Sequence, residues 1–460
     1  MAVTSATLAA STASALLHEP AHDIPVVNAT GNGADVIVAG GGPAGVAAAL
    51  AAARTGARTT LIEAHGCLGG VWTAGLLSWI IDAHNKPGIM DEITRALDRR
   101  GARLPRVEGG GNYAYDPEQM KLLLEELVIE AGIHIRLHTH VVAAHTDPAS
   151  NRLTHLVTES RTGRQAWTAR CFVDATGDGD LAARAGCGYD LGHPDTGECQ
   201  PMSLMALVTG IHARDIPDFI GGGLREPKAR LFAEFRRAGV EPSYGAPILF
   251  RIRDDFFAFI GNHEYGVSAL DAAQVTAATL RARAEIHRLV AALRMLGHPW
   301  QNLRVVATAE QIGIREARRI HGRHTVNAAE LVSGTRHDDA VCRATFGIDV
   351  HSTNAAGGKS YDHANGTRTR PYDIPLRALI ARDVDGLLLA GRCISGDFLA
   401  HSSYRVTGNA VALGQAAGVA AALAALTGHL PQTLPWSEVR AALGRIEQPG
   451  LCGAGVSPAF

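Results

Sequence analysis

The chain has 460 residues, of which 46% are hydrophobic and 19% are charged, and its net charge is −2. This composition excludes a disordered chain, and the balanced charge gives no overall field that would attract nucleic acid or an anionic membrane. The seven cysteines are scattered without a Cys-x-x-Cys pair. We therefore expect neither a disulfide framework nor a structural zinc site, and a reducing cytoplasm fits this cysteine usage.

The N-terminal residues 1–33 are rich in Ala, Ser and Thr and contain no Lys or Arg. A secretory signal peptide needs a positively charged start, so we predict a flexible tail here. Two later stretches, Pro43–Ala53 and Ala410–Leu426, are apolar enough to be compared with membrane spans. The first is too short, and the second contains two glycines and a glutamine, so we predict that it is a buried helix.

Residues 34–63 contain the first strong pattern. An apolar run of strand length, Asp35–Ala39, is followed by a glycine-rich turn, an alanine-rich helix that stops at Gly56, and a second apolar strand, Thr59–Ile62. Glu63 follows that strand directly. This order predicts a βαβ unit of the kind that binds a dinucleotide.

The glycine-rich turn has the pattern G-x-G-x-x-G, formed by Gly40, Gly42 and Gly45. Gly40 allows a tight turn, Gly42 lets the backbone approach a pyrophosphate, and Gly45 lets the helix pack closely against the strand. The helix N-terminus adds unpaired N–H groups and the positive end of the helix dipole. We expect Glu63 to accept hydrogen bonds from ribose hydroxyls.

A helix and three strands come next in the chain. Residues Asp116–Ala131 begin with an Asp N-cap and a proline in the first turn, which predicts a helix. The last of the three strands runs into the sequence DATGDGD at residues 174–180. The predicted strands are Ile133–Ala144, Leu153–Ser160 and Arg164–Val173.

Histidines recur around the first of these strands, at positions 134, 138, 140 and 145. Alternate residues of one strand share a face, so a metal site is conceivable there. The opposite face is apolar, and we therefore interpret the histidine face as the solvated side of an amphipathic strand. We predict no metal site in this protein.

The middle of the chain contains three predicted strands, one long helix with a single apolar stripe, and two groups of polar residues. An arginine cluster spans residues 315–323, and it either binds an acidic substrate or forms a solvated or ion-paired helix face. Asp349 and His351 end a short apolar stretch, just before the glycine-rich residues 354–358. The strands are Pro201–Thr209, Pro247–Arg253 and Phe256–Gly261, and the helix runs from about Asp271 to Leu296.

The C-terminal part contains a buried strand and a long helix of small residues. The strand lies within Gly386–Ser395 and the helix covers Gly408–Leu426. A shorter helix is predicted at Pro435–Ile446.

These segments resemble the FAD-dependent oxidoreductases of the glutathione-reductase-like superfamily, within the broad bacterial family that has a single dinucleotide-binding domain. The similarity extends from about residue 34 to about residue 445 and is loose over 190–305. The matching segments are GGGPAG at 40–45, E-x-x-x-x-LGG at 63–70, DATGDGD at 174–180, I-x-x-REARRI-x-G at 312–322, GIDVH at 347–351, YDIPLRAL at 372–379 and the run LLLAGRCISGDFLAHSSYRVTGNAVALGQAAGVAAALA at 387–424.

The resemblance implies an α/β fold, with a Rossmann-like FAD-binding domain that carries a three-stranded β-meander and an inserted α+β substrate domain. The FAD-binding domain is discontinuous and covers 34–190 and 372–430, the substrate domain covers 191–371, and 431–460 form a C-terminal helix and tail. The sequence has no second strand–GxGxxG–helix pattern. We therefore expect NADH and NADPH to reduce the enzyme slowly or not at all.

FAD is the cofactor that the resemblance implies. Thr176 and Gly177 would approach the adenosine half, Gly391 and Arg392 the flavin side, and the turn at residues 407–410 would present N–H groups to the flavin. The complete set of implied FAD-binding residues is Gly40, Gly42, Pro43, Ala44, Gly45, Glu63, Gly69, Gly70, Val141, Thr176, Gly177, Gly391, Arg392, Gly408, Asn409 and Ala410.

Four residues are candidates for catalysis. His401 lies between the flavin-side strand and the last long helix, and His351 would reach the site from the substrate domain; either imidazole can accept a proton near neutral pH. Arg405 can hold a carboxylate or the charge on the flavin C2=O. Tyr372 is a further candidate, although a tyrosine before Ile-Pro is commonly a packing residue.

The function we predict is hydride transfer between a small organic substrate and flavin N5, by a cytoplasmic dehydrogenase or oxidase. A flavin-dependent monooxygenase and a non-redox enzyme on the same fold, such as a hydratase or isomerase, are the alternatives. The expected partner is a small-molecule substrate, with neither nucleic acid nor membrane, and a homodimer is left open.

Overall fold

The computed structural model describes residues 27–28, 33–104, 111–221, 224–354, 361–362 and 367–448. The helices in this part of the chain are α1 (Pro43–Arg54), α2 (Ile89–Arg99), α3 (Pro117–Glu130), α4 (Asp180–Arg184), α5 (Arg225–Arg237), α6 (Ala272–Met295), α7 (Ala328–Ser333), α8 (Phe398–Tyr404), α9 (Thr407–Thr427) and α10 (Trp436–Glu447). The strands are β1 (Val27–Asn28), β2 (Ala34–Ala39), β3 (Thr59–Ile62), β4 (Trp79–Ile80), β5 (Tyr113–Ala114), β6 (His134–Arg136), β7 (His140–Thr146), β8 (Leu153–Ser160), β9 (Gly163–Asp174), β10 (Tyr189–Asp190), β11 (Ala206–Thr209), β12 (Ile248–Arg251), β13 (Phe256–Ile260), β14 (Arg304–Thr308), β15 (Arg319–Ile320), β16 (Ala340–Ala344), β17 (Val350–His351), β18 (Tyr361–Asp362), β19 (Tyr372–Pro375) and β20 (Leu387–Leu389).

The central sheet contains the predicted parallel strands. Strands β6, β3, β2, β9 and β20 lie side by side in that order, and each pair is parallel. The apolar sequences of β2 and β3 fit this position, because a parallel strand is covered by other elements on both faces. The mixed α/β fold with a Rossmann-like parallel sheet is confirmed.

The predicted three-stranded meander is also present. Strands β7, β8 and β9 pair antiparallel in chain order. The first half of β9 belongs to this meander, while its second half, from Ala169 onward, belongs to the parallel sheet. The long strand β9 is therefore shared by the meander and the parallel sheet.

The single strand predicted over Ile133–Ala144 is wrong. Strand β6 joins the parallel sheet and β7 joins the meander, and between them His138 adopts a left-handed backbone with φ of 51°. The chain changes direction there, so the histidines of this segment do not share one strand face.

Helices α1 and α9 pack against each other with their backbones in close approach. A Cβ atom on Gly414 would overlap the carbonyl oxygen of Ala44, and one on Gly418 would overlap that of Ala48. These glycines and the surrounding alanines explain the small-residue composition of α9. Helix α9 is also long and apolar enough to cross a membrane, but 78% of its most apolar window is buried inside the protein. The predicted buried helix is confirmed.

Two hydrophobic cores are present. The first surrounds the parallel sheet, and the second lies between α6 and a sheet with the order β12, β13, β11, β14. Ile320, Val326 and Ile348 pack in the first core, although the predicted domain boundaries place them in the substrate domain. The division into domains stays a prediction.

The ends of the chain are described in part. Val27 and Asn28, inside the predicted tail, pair with Gln165 and Ala166 of β9. The predicted C-terminal helix is present as α10. The rest of the tail before residue 33, and residues 449–460, lie outside the described residues.

Candidate active site

A cleft of about 480 Å³ lies at the carboxyl ends of the parallel strands. Gly40 follows β2, Glu63 follows β3, Thr176 follows β9 and Gly391 follows β20, and all four line the cleft. Parallel strands end at the same edge of a sheet, which is where α/β proteins of this type bind nucleotides.

The glycines of the first turn differ in what a side chain would meet. Gly40 has φ of 95°, and a Cβ there would lie 2.5 Å from the carbonyl oxygen of Ala175. A Cβ on Gly45 would overlap the carbonyl oxygen of Gly40. A Cβ on Gly42 would meet no protein atom within 4 Å. The first two glycines are therefore required by the fold, whereas Gly42 faces open space in the cleft.

Two helix N-termini point at this cleft. Helix α1 begins after Gly42 and α9 begins after Val406, and neither has a side-chain cap. Among the described residues, the buried hydroxyl of Thr407 has no hydrogen-bond partner, and Thr407 lines the cleft. Uncapped N–H groups and the positive ends of two helices suit an anionic ligand. A dinucleotide is such a ligand, because its pyrophosphate is negatively charged.

Glu63 holds the shape of the turn. Its buried carboxylate accepts hydrogen bonds from the backbone N–H of Gly41 at 2.5 Å and of His65 at 2.8 Å. These contacts connect the end of β3 to the glycine-rich turn between β2 and α1. Ribose contacts by Glu63 stay a prediction.

The buried carboxylate of Asp174 holds the turn after β9. Asp174 belongs to the DATGDGD segment, but the sequence pattern indicated no role for it. Asp174 accepts hydrogen bonds from the N–H and hydroxyl of Thr176, at 3.0 and 2.7 Å, and from the N–H of Ala182 at 2.8 Å. Burial raises the pKa of Asp174. On the neighbouring turn, Arg392 forms an ion pair with Asp178, and both line the cleft.

The structure brings most of the predicted FAD-binding residues to the cleft. Gly69 instead donates its N–H to the carbonyl of Gly41 at 2.7 Å, and Gly408 donates to that of Ile81 at 3.0 Å. Gly45, Gly69, Gly408 and Asn409 do not line the cleft. The predicted residues that line it are Gly40, Gly42, Pro43, Ala44, Glu63, Gly70, Val141, Thr176, Gly177, Gly391, Arg392 and Ala410.

A second group of polar residues adjoins the cleft through Arg405, which lines the cleft and belongs to both. We call this group the interdomain cluster, a name that refers to its position between the two hydrophobic cores and not to the predicted domain bounds. Its members come from widely separated parts of the chain and meet between the two hydrophobic cores. They are Gln200, Tyr244, His263, Arg315, Asp349, His351 and Arg405.

Asp349, His351 and Arg405 form the charged centre of the interdomain cluster. His351 Nε2 lies 3.4 Å from Asp349 Oδ2. Arg405 Nη2 donates to the carbonyl of Asp349 at 2.8 Å and to Gln200 Oε1 at 3.2 Å. Burial, followed by the charge of Arg315, lowers the pKa of His351 to about 4, and so its imidazole is neutral at physiological pH. The pKa of Asp349 is lowered because His351, Arg405 and Arg315 outweigh the effect of its burial.

His263 and Tyr244 complete the aromatic side of the interdomain cluster. The His263 ring stacks on Tyr244 at 4.1 Å and meets His351 edge-on at 5.0 Å. Burial lowers the pKa of His263 well below its usual value. Among the described residues, His263 Nε2 and Gln200 Nε2 are buried without a hydrogen-bond partner. A buried polar atom left unpaired costs about 1–3 kcal/mol, and a polar ligand would relieve that cost.

One interpretation of the arginine cluster at 315–323 was a solvated or ion-paired helix face, but the structure describes these residues and has no helix there. Only Arg319 and Ile320 form regular structure there, as β15. Arg318 pairs with Asp180, Arg319 with Glu316 and Arg323 with Asp385. Arg315 instead donates to the carbonyl of Pro201 and the hydroxyl of Ser203 and lies in the interdomain cluster. Burial, and next the nearby charge of Arg405, lower the pKa of Arg315 to about 10.

The structure places His401 and Tyr372 away from the cleft. His401 is 1% exposed in α8, and neither ring nitrogen has a hydrogen-bond partner among the described residues. Burial, followed by Arg405, lowers the pKa of His401 well below its usual value. Tyr372 is buried and its hydroxyl lies 2.9 Å from that of Ser403. Of the four predicted catalytic residues, the structure brings together His351 and Arg405.

Sequence reasoning missed Gln200, Tyr244 and His263. Gln200 precedes β11, Tyr244 precedes β12 and His263 follows β13. None of them belongs to a local motif, because only the packing of the second core against the first brings them to Arg405. They share no local signal, because only His263 comes just after an apolar strand.

Comparison with solved structures finds folds of similar outline at low sequence identity. A geranylgeranyl bacteriochlorophyll reductase-like protein from Thermoplasma acidophilum is 12% identical, with a TM-score of 0.45 over 90% of this chain and 82% of that chain. The myxobacterial chondrochloren halogenase CndH is 13% identical, with a TM-score of 0.46 over 91% and 79%. The flavin-dependent brominase Bmp2 is 12% identical, with a TM-score of 0.48 over 90% and 83%.

A search of curated proteins finds no relative that matches this sequence. The family model described as FAD dependent oxidoreductase matches residues 35–443, which span both cores and the whole cleft. The protein therefore belongs to the FAD-dependent oxidoreductase family and is an enzyme with FAD as its cofactor.

Proposed function

We propose that this enzyme oxidises a small organic acid at a carbon that bears a hydroxyl or amino group, and that it belongs to the glutathione-reductase-like branch with one dinucleotide-binding domain. The observation that carries the proposal is the position of Arg405, which lines the cofactor cleft and also contacts the Asp349–His351 pair. A basic residue, a proton acceptor and the cofactor cleft thus meet at one point.

The cleft at the ends of β2, β3, β9 and β20 would hold FAD. The N-terminus of α1 after Gly42 would bind the pyrophosphate, with Glu63 fixing the turn, and Thr176 and Gly177 would contact the adenosine half. Gly391 and Arg392 would contact the flavin side. When bound, FAD supplies an acceptor for the hydride that leaves the substrate carbon.

Arg315 and Arg405 would bind the carboxylate of the substrate. Four cationic side chains in this region, those of Lys228, Arg315, Arg319 and Arg405, face two carboxylates, those of Glu316 and Asp349, which leaves positive charge in excess. His263 and His351 do not add to it, because their lowered pKa values keep them neutral. The carboxylate of the substrate would compensate this excess, because guanidinium groups bind carboxylates with two parallel hydrogen bonds.

The Asp349–His351 pair would accept the proton that the substrate loses. A proton on His351 Nε2 directed at Asp349 places the ring lone pair on Nδ1, and Nδ1 then takes the proton from the substrate hydroxyl or amine. Asp349 stabilises the imidazolium that forms, because its lowered pKa keeps it ionised. A general base of this kind typically contributes about 10²–10⁴ in rate.

The function is tested by anaerobic mixing of the FAD-loaded enzyme with a panel of 2-hydroxy acids, 2-amino acids and their uncharged alcohol and amine analogues. We expect loss of flavin absorbance near 450 nm with at least one acid and none with its uncharged analogue. Reduction by NADPH at a useful rate, with no acid active, would contradict the proposal and favour the monooxygenase alternative. Conversion of an acid without any flavin bleaching would favour a non-redox reaction.

Glu63→Ala should weaken FAD binding by about 1–3 kcal/mol, which is roughly 5- to 150-fold in the dissociation constant. The substitution removes the acceptor for the N–H groups of Gly41 and His65, so the turn loses the shape that α1 presents to the pyrophosphate. The measurement is titration of FAD into deflavinated protein. Glu118→Ala, on the exposed side of α3, serves as the control. An unchanged dissociation constant would mean that the turn holds itself without Glu63.

The rate of flavin reduction should be independent of pH between about 6 and 8 and should fall as the pH approaches 4. Because the folded-state pKa of His351 is lowered to about 4, the imidazole stays a competent base well below the ordinary histidine value of about 6.5. The measurement is the second-order reduction rate of the wild type against that of His351→Gln, since the ratio cancels titration of the substrate. A fall in this ratio centred near pH 6.5 would show that the pKa is not lowered in the working enzyme.

A further inference from the structure

A cluster of metal-type ligands lies outside the FAD cleft. His324, Glu330 and His337 offer one ligand atom each, and these three atoms lie within 4.8 Å of one another. None of the three residues lines the cleft or belongs to the interdomain cluster. They occupy positions before, within and after the short helix α7, in the spacing His-x5-Glu-x6-His.

The ligand atoms are buried and lack hydrogen bonds. His324 Nε2, Glu330 Oε2 and His337 Nε2 are each inaccessible to solvent and have no hydrogen-bond partner among the described residues. The His337 and Glu330 side chains are only 11% and 13% exposed. Three buried polar atoms from three side chains, which lie within 4.8 Å of one another and make no hydrogen bond of normal geometry among the described residues, are costly unless something binds between them.

The distances fit a small divalent cation. His324 Nε2 lies 2.9 Å from Glu330 Oε1, and His337 Nε2 lies 3.7 Å from Glu330 Oε2. These two nitrogens approach different oxygens of the same carboxylate. Two ligands held at about 2.0–2.1 Å from a tetrahedral Zn²⁺ are roughly 3.4 Å apart, a separation within the 4.8 Å that encloses one ligand atom from each of the three residues. Two imidazole nitrogens and one carboxylate oxygen suit Zn²⁺ and disfavour Mg²⁺ and Ca²⁺, which prefer oxygen ligands.

The surrounding hydrogen bonds hold two of the ligands in place. Asn327, the N-cap of α7, accepts the N–H of Glu330 and donates its side-chain amide to Glu330 Oε1 at 3.2 Å. The backbone N–H of His337 donates to the buried carboxylate of Asp373 at 3.3 Å. Contacts of this kind around ligating side chains orient them and support metal affinity.

We propose that His324, Glu330 and His337 bind one Zn²⁺-type ion, with water as the fourth ligand, and that the ion fixes the segment 324–337. This segment connects to the active site. Val326 donates to the carbonyl of Ser395, Asp397 donates to that of Val326, and Asp397 accepts from Ala328. Asp397 is the N-cap of α8, after which the chain reaches Arg405. The ion is thus structural and supports the element that carries Arg405.

Zinc content and thermal stability test this site without reference to activity. The wild-type enzyme, loaded with FAD and stripped of metal by a chelator, should take up one equivalent of Zn²⁺ at micromolar concentration. His324→Gln, Glu330→Gln and His337→Gln should each bind that equivalent at least about a hundredfold more weakly. At about a hundred times the dissociation constant, Zn²⁺ should raise the melting temperature of the wild type by about 3 °C and leave that of the variants unchanged.

His287→Gln, on the exposed face of α6, is the matched control and should behave as the wild type. Retained FAD and an unchanged metal-free melting temperature establish that each variant is folded. If a variant fails this check, Co²⁺ titration of the wild type is used in place of that variant. Co²⁺ bound in a tetrahedral site gives intense visible bands, which report the same coordination that is proposed for Zn²⁺. Three results would each overturn the proposal. They are uptake of the equivalent by all three variants, no uptake by the wild type at micromolar concentration with Zn²⁺ in 100-fold molar excess, and only octahedral bands in the Co²⁺ spectrum.

Discussion

Gly42→Val should give a folded protein that has lost FAD. A Cβ at Gly42 meets no protein atom within 4 Å, so we expect the apoprotein to tolerate a valine there, but its side chain would project into the part of the cleft where the turn would face the pyrophosphate. We expect the wild type to purify with about one FAD per chain and the variant to purify colourless, with its dissociation constant for FAD raised by at least about a thousandfold. The measurements are the absorbance near 450 nm and the circular dichroism of the same sample.

Two other glycines separate loss of the ligand from loss of the fold. Gly45→Val should fail to fold, because its side chain would overlap the carbonyl of Gly40. Gly444→Val, in α10, also meets open space but lies far from the cleft in the chain, and it should keep FAD. If Gly42→Val purifies with a full complement of FAD, then the pyrophosphate does not bind at this turn.

His351→Gln should keep FAD and slow the reduction of the flavin by substrate at least about a hundredfold. Glutamine retains a polar side chain of similar reach but cannot take the proton that Asp349 would stabilise. The measurement is single-turnover anaerobic reduction at saturating substrate. The matched control is His212→Gln, since His212 and Asp254 form an exposed pair at 3.5 Å, close to the 3.4 Å of the His351–Asp349 pair. A wild-type rate in His351→Gln would make this histidine structural.

Arg315→Met separates binding from chemistry at the same site. The long apolar side chain preserves packing but removes one of the two cations that would hold the carboxylate. We expect the substrate dissociation constant to rise by about 10²- to 10³-fold, as for the loss of one partner of a buried charge pair, with a smaller change in the limiting rate. A loss confined to the limiting rate would assign Arg315 to the reaction instead of to binding.

The βαβ unit could be predicted from sequence because its signals are local. Strand β3 has the predicted bounds, and α3 begins at the Asp116 cap that the pattern indicated. The break at His138 could not be predicted, because neither strand is strongly periodic and the left-handed residue between them is not a glycine. Strand propensity alone does not locate such a break, because its position depends on the pairing of β6 with β3 and of β7 with β8.

The candidate site was predictable only where sequence neighbours are also spatial neighbours. Arg405 was found because it precedes α9, whose N-terminus lies in the cleft. His401 is four residues earlier, but α8 turns almost all of its side chains inward, and the sequence does not show which of them reach the cofactor. His263 and Gln200 depend on the packing of one core against another, which no local pattern records.

The contact between α1 and α9 has a consequence for how the protein is made. Helix α1 ends at Arg54, while its partner α9 begins at Thr407, and β20, which completes the parallel sheet, begins at Leu387. On the ribosome, the first βαβ unit therefore emerges long before the elements that cover it, with its alanine-rich helix exposed. Most residues of the second core lie between β11 and β14, so this core can fold in that interval. The cofactor-binding half therefore begins first in synthesis and is completed last.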